Sequence, residues 1–118
     1  MQIQVNSDRN IAGHEALAVR VRGVVESSLS HLGAHVTRVE VHLSDENSHK
    51  TSDNDKRCVM EVRLEGHPPI AVTHQAETVD YAVVGAAGKL RRVIERTLGR
   101  RKDKRRGLTD PPPAGLTD

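Results

Sequence analysis

Lys89, Arg92, Arg96 and Arg100 recur at i, i+3, i+7 and i+11, the spacing that places side chains on one face of a helix. They belong to a segment, residues 89–106, that reads KLRRVIERTLGRRKDKRR and holds ten of the chain's eighteen Lys and Arg residues. Its acids are Glu95 and Asp103, so its formal charge is +8, whereas residues 1–88 carry eight bases against twelve acids. The net +2 of the 118-residue chain therefore conceals a strong asymmetry. Guanidinium and ammonium groups so arranged attract phosphate oxygens, and a helix-length basic block on a slightly acidic body is the footprint of a polyanion binder. The expected chemistry is non-covalent neutralisation of nucleic-acid phosphates, weakened steeply by salt.

The other reactive side chains point away from catalysis. There are seven histidines, but His31 and His35 are separated by Gly33, a helix-stop residue, and no HExxH motif occurs. Cys58 has no CxxC partner, and it alternates with Met60 on the apolar side of a strand pattern, so it reads as a small buried hydrophobe. Asp45, Glu46, Asp53 and Asp55 lack the calcium-loop spacing with its central Gly. No paired acid and base or activated nucleophile can be assembled. The chain is therefore not expected to be an enzyme, nor to need a metal, a cofactor or a small-molecule substrate.

These side chains must be positioned by elements that the hydropathy pattern makes visible. Gln2 to Asn6 alternates as a short strand, with Ile3 and Val5 on one side. From about Gly13 to Leu32 the period becomes helical: Leu17, Val21, Val24 and Leu32, flanked by Val25 and Leu29, form a stripe, with Arg20, Arg22 and Glu26 off it. Gly33 is the expected stop. Thr37 to Leu43 alternates again, the wet and buried faces being those of an antiparallel sheet. Asp45 to Asp55 is a polar hairpin loop, Arg57 to Glu65 a third strand, and Ile70 to His74 a fourth. A second helix starts at the cap Thr78, buries Val79, Val83, Ala86, Leu90 and Ile94, and runs into the basic block. Small residues at Gly85 and Gly88 suit close approach to a sheet, Tyr81 reads as a half-buried helix residue with a base-stacking platform as its alternative, and Gly99 is placed to end or loosen the helix.

The order β-α-β-β-β-α predicts an α+β fold, one four-stranded sheet with two helices packed on one face. The opposite face stays polar, through Gln2, Gln4, Arg38, Glu40, His42, Glu61, Arg63 and Thr73. Residues 1–106 form one domain ending in the basic helix; residues 107–118, GLTDPPPAGLTD, read as a disordered tail. Tyr81 is the only aromatic residue, which argues against the aromatic sheets and grooves that stack successive bases, and favours recognition through phosphates, sugars and shape. No apolar run reaches membrane-spanning length and no secretory leader is visible, so a cytoplasmic protein is expected, free of internal disulfides because Cys58 is single.

Three stretches resemble a known family over roughly residues 1–104. Met1-Gln2-Ile3-Gln4-Val5 and the helix after it are similar to the opening strand and helix of the ribosome hibernation-promoting factor and ribosome-associated translation inhibitor family, also called sigma-54 modulation proteins. Val39-Glu40-Val41-His42-Leu43 and the polar loop resemble its second strand and hairpin. The most specific stretch is the last helix, with Ala82-Val83, then Lys89-Leu90, then bases ending in Arg101-Lys102-Asp103-Lys104. The sequence departs from the family pattern in its Thr78-Val79-Asp80 cap, in Tyr81 one position late, and in Gly85 and Gly88. The likeness is to the short form.

The resemblance implies a factor that docks on the small ribosomal subunit where mRNA and tRNA pass, and inhibits translation by occupying the channel during stress. It implies that Lys89, Arg92, Arg96, Arg100, Arg101, Lys102 and Lys104 contact ribosomal RNA, with Arg20 and Arg22 on the first helix as secondary contacts. Two other readings stand beside it. One is a general RNA- or DNA-binding module; the other is a protein-interaction module using the open sheet face.

Overall fold

The computed structural model describes residues 1–8, 11, 13–46 and 55–107, with side chains as far as residue 100. Four strands, β1 (Gln2–Ser7), β2 (Val36–Asp45), β3 (Lys56–Leu64) and β4 (Ile70–Ala76), form one sheet in the order β1-β2-β3-β4. Helix α1 (His14–Leu29) tightens into a 3-10 turn at Ser30–Leu32, and α2 (Val79–Gly107) closes the chain's regular structure. The expected α+β architecture is therefore present. Most of the expected hairpin loop, and the tail from residue 108, lie outside the described residues.

The sheet is mixed rather than antiparallel throughout. β2, β3 and β4 pair antiparallel, but β1 pairs with β2 in parallel. Alternation along a strand identifies its buried face; it carries no information on which way the neighbour runs. Here α1 is the crossover that returns the chain to the end of the sheet where β1 began, which parallel pairing requires.

Register aligns the inward side chains in rows across the sheet. Ile3, Val39, Val62 and Ile70 make one row, Val5, Val41, Met60 and Val72 the next, and Leu43, Cys58 and His74 a third. Over them α1 lays Leu17, Ala18, Val21, Val25 and Leu29, and α2 lays Ala82, Val83, Ala86, Ala87, Leu90 and Ile94. Each large side chain so buried contributes roughly 1.5–3 kcal/mol. A core without Phe or Trp fills its volume with aliphatic groups and brings α2 close through alanines.

Gly85 shows how close. A Cβ at that position would overlap the ring of His74 on β4, so only glycine admits the imidazole beneath the helix. Gly88 does not share this role: its missing Cβ faces outward, and the nearest atom to it would be Arg92 Nη1 at 3.5 Å. Helix ends also differ in part from expectation. Thr78 caps α2 as expected, its Oγ1 accepting from the Tyr81 N–H at 3.0 Å. Gly33, however, closes the 3-10 turn in right-handed geometry, φ −57°, rather than as a left-handed cap. Gly99 does not end α2 either, because one glycine costs only about 1 kcal/mol and its neighbours are good helix formers.

Candidate nucleic-acid interface

The candidate interface lies on α2, whose phase is set by the Thr78 cap and by the apolar stripe that ends at Ile94. With that stripe turned to the sheet, Arg91, Arg92, Arg96 and Arg100 are exposed. None of the four makes an ion pair with another described side chain.

The acids of the helix are disposed differently. Asp80 Oδ1 lies 3.3 Å from Arg20 Nε, and Glu95 Oε2 lies 2.8 Å from His31 Nε2. Both partners come from the α1 side: Arg20 from α1 itself and His31 from the 3-10 turn that follows it. These exposed pairs stabilise the fold by at most about 1 kcal/mol each. Their larger effect is on charge distribution, since they turn Asp80 and Glu95 toward α1. The flank nearer β4 keeps Lys89, Arg92, Arg96 and Arg100.

The residues expected from sequence separate into groups. Arg92, Arg96 and Arg100 share the exposed side of α2, with no ion-pair partner among the described residues. Lys89 is half-buried, and its Nζ donates to the Thr73 carbonyl of β4 at 2.9 Å, covering that edge of the sheet. Arg20 is committed to Asp80. Arg22 is exposed but stands about 200° round α1 from Arg20, on the flank away from α2. Arg101, Lys102 and Lys104 continue the α2 backbone, and their side chains lie outside the described atoms. Arg91 was absent from the i, i+3, i+7 series, yet it is exposed; the signal for it is its place within the +8 segment rather than its spacing.

Tyr81 departs from expectation more plainly, being 68% exposed. Val79, Ala82, Val83 and Ala86 occupy the inward arc of the first turns, which leaves position 81 pointing out.

Elsewhere the reactive groups are engaged or dispersed. His42 lies on the outer face of β2 and His74 on the inner face of β4, so they cannot act together. His14 Nδ1 sits 2.7 Å from Ser7 Oγ, and His67 Nδ1 2.8 Å from the Pro68 carbonyl. Among the described residues no three His, Cys, Asp or Glu side chains converge on a metal position. Cys58 is fully buried, and burial pushes its thiol up to about 12, so it is a neutral packing group rather than a nucleophile. Lys56, at the base of the β2–β3 hairpin, hydrogen-bonds Asp55 at 2.8 Å and lies 3.4 Å from Asp45. That hydrogen bond, and then the charge of Asp45, hold its ammonium above its ordinary pKa. Among the described residues no helix is long and apolar enough to cross a membrane.

Comparison with solved structures finds the same fold in proteins of low sequence identity. The N-terminal domain of Protein Y from Thermus thermophilus superposes with a TM-score of 0.60 at 22% identity, over 82% of this chain and 99% of that one. A ribosomal subunit interface protein from Coxiella burnetii superposes with a TM-score of 0.62 at 16% identity, over 84% of this chain and 99% of that one. No curated protein matches in sequence. A family model matches residues 5–105, nearly the whole folded domain, and the chain belongs to the sigma 54 modulation protein / S30EA ribosomal protein family.

Proposed function

We propose that the protein is a ribosome-associated factor that binds small-subunit ribosomal RNA where mRNA and tRNA pass, and inhibits translation by occupying that channel under stress. The observation that carries this reading is the segregation of charge on α2. Asp80 and Glu95 are drawn to α1 by Arg20 and His31, and the exposed guanidinium groups of Arg91, Arg92, Arg96 and Arg100 have no ion-pair partner among the described residues. Family membership directs this cationic face to the ribosome rather than to nucleic acid at large. The contacts are Arg92, Arg96 and Arg100, joined by Arg91 and continued by Arg101, Lys102 and Lys104. Lys89 and Arg20 support them from their own intramolecular bonds. Residues 1–106 act as the binding unit, in the cytoplasm where ribosomes work.

No bond is made or broken in such a mechanism. Inhibition follows from occupancy, and occupancy depends on how many phosphates the bases neutralise. Binding is therefore expected to fall steeply with salt, by a slope of about 0.9 in log–log terms for each phosphate contact on duplex DNA and by a comparable slope on RNA.

Co-sedimentation with ribosomes across a low-to-high salt series tests the reading. The expected result is protein in the small-subunit fraction at low salt and its release as salt rises. Folded protein that stays out of that fraction at low salt would sink the proposal. Equal affinity for random duplex RNA and for ribosomes would point instead to a general RNA-binding module.

A further inference from the structure

The chain's single aromatic ring is spent on the surface. Tyr81 is 68% exposed, with no role in the core, and Val84 one turn on is 56% exposed. Tyr81, Val84, Gly88 and Arg92 fall at i, i+3, i+7 and i+11, so the ring stands on the same outward ridge of α2 as an unpaired guanidinium. The absence of a side chain at Gly88 leaves the ridge low between them. Arg92 lies back over that gap, its Nη1 3.5 Å from where a Gly88 Cβ would stand. The negative charge beside the ring is already matched, because Asp80 is held by Arg20. The same pair ties the α1 turn bearing Val19, itself 68% exposed, to the α2 turn bearing Tyr81.

One continuous face thus grades from an apolar end with a ring to a basic end with free arginines. Neutralising a helical RNA backbone would use only the basic end. An unpaired strand of a few nucleotides uses both, with one base on the ring and phosphates further along on the arginines, about 16 Å up the helix from Tyr81, and base–aromatic stacking tolerates any base identity. Charge complementarity along the ridge favours this occupant over a protein segment, which would have to supply acids for Arg91, Arg92 and Arg96.

We propose that Tyr81 is a base-stacking site: an unpaired RNA nucleotide stacks on its ring, beside Val84, while phosphates further along the same strand bind Arg92 and Arg96. This rests on the reading of α2 as an RNA-binding helix and adds to it a preference for unpaired over duplex RNA.

The test uses the ring itself. The chain has no Trp, so Tyr81 is its sole intrinsic fluorophore. The full chain is titrated at low salt with a single-stranded RNA oligonucleotide, and with the same sequence as a blunt duplex. The single strand is expected to quench Tyr81 emission and to bind Tyr81→Ala about tenfold more weakly than the parent. Tyr81→Phe should bind as the parent does, Tyr81→Leu as Tyr81→Ala does, and the duplex should bind all four forms alike. Single-strand affinity of Tyr81→Ala within about twofold of the parent overturns the inference. So does restoration by Tyr81→Leu, which would make the contact one of apolar bulk. Loss of ribosome binding by Tyr81→Ala with unchanged oligonucleotide affinity also overturns it, and assigns the ridge to a ribosomal protein. The two readings fail separately: parent protein that stacks the oligonucleotide but ignores ribosomes refutes only the ribosomal role. Parent protein that sediments with ribosomes while Tyr81→Ala behaves identically refutes only the stack.

Discussion

α1 and α2 pack on the same sheet by the same device, an apolar stripe at helical spacing, yet they end differently. The stripe of α1 runs its whole length, from Leu17 to Leu29, and the α-helix stops where the stripe stops. The inward face of α2 runs out at Thr97 and the partly buried Leu98, but the helix continues to Gly107. Among the described side chains, those of α2 that pack inward end at Leu98. The sequence that follows, residues 100–106, is Arg, Lys and Asp alone, a composition that supplies no apolar stripe to pack. The outward faces differ in charge balance: α1 exposes Arg20 and Arg22 beside Glu15 and Glu26, while α2 from residue 91 to 100 exposes four arginines beside Glu95.

The largest expected effect comes from breaking this difference at its functional end. Reversing Arg92, Arg96 and Arg100 to Glu should weaken ribosome binding by at least about a hundredfold, with an unchanged circular dichroism spectrum, because no described contact holds these side chains in the fold. Reversing Arg22, on the far flank of α1, should change binding by less than about threefold in the same sedimentation assay. Equal losses in the two variants would mean that the helices contribute alike, against the asymmetry described.

Core variants probe the part that the helices share. Leu90→Ala removes a fully buried side chain from the middle of α2 and should cost about 2–5 kcal/mol in urea denaturation. A cost below 1 kcal/mol would show that α2 is not anchored there.

Two glycines of α2 sharpen the contrast within one helix. Gly85→Ala drives a methyl into the His74 ring and should destabilise by about 1–3 kcal/mol, with recovery when His74→Ala is added. Gly99→Ala enters open space and should stabilise by up to about 1 kcal/mol. The same sign for both would contradict the packing boundary placed between them. Thermal melts of the three variants would decide.

The smallest effect concerns Cys58. Its folded thiol is raised to about 12 from an ordinary 9.0, so the unfolded chain ionises first as pH rises. The stability tied to the neutral thiol is complete below about pH 9 and is lost progressively toward pH 12. Cys58→Ala should lack that part of the alkaline decline. Thiol-directed reagents at pH 8 should leave the native protein unlabelled and modify it fully in denaturant; rapid native labelling would place the thiol at the surface.

Much of this was legible before any coordinates. The alternation at Val39, Val41 and Leu43, and at Cys58, Met60, Val62 and Leu64, identified buried faces because a strand has period 2, and all seven residues are buried. The Thr78 cap and the stripe through Ile94 identified α2 because capping and amphipathicity are local. What local pattern could not supply was partnership. Nothing in QIQVNS shows that it pairs in parallel with β2, and nothing in the spacing shows that Arg20 meets Asp80 sixty residues away or that Lys89 reaches a β4 carbonyl. Half-burial was expected of Tyr81; its exposure follows from the phase that the cap and the inward Val79, Ala82, Val83 and Ala86 impose.

The sequence by itself determined the element order, the inward faces and the location of the charge, because these depend on periodicity and composition within short windows. Only the tertiary structure decided which charges remain available. Packing α1 beside α2 brought Arg20 and His31 to Asp80 and Glu95, and left Arg91, Arg92, Arg96 and Arg100 without an ion-pair partner among the described residues and Tyr81 exposed. That selection is a property of contacts between distant segments, set by how two apolar stripes share one sheet.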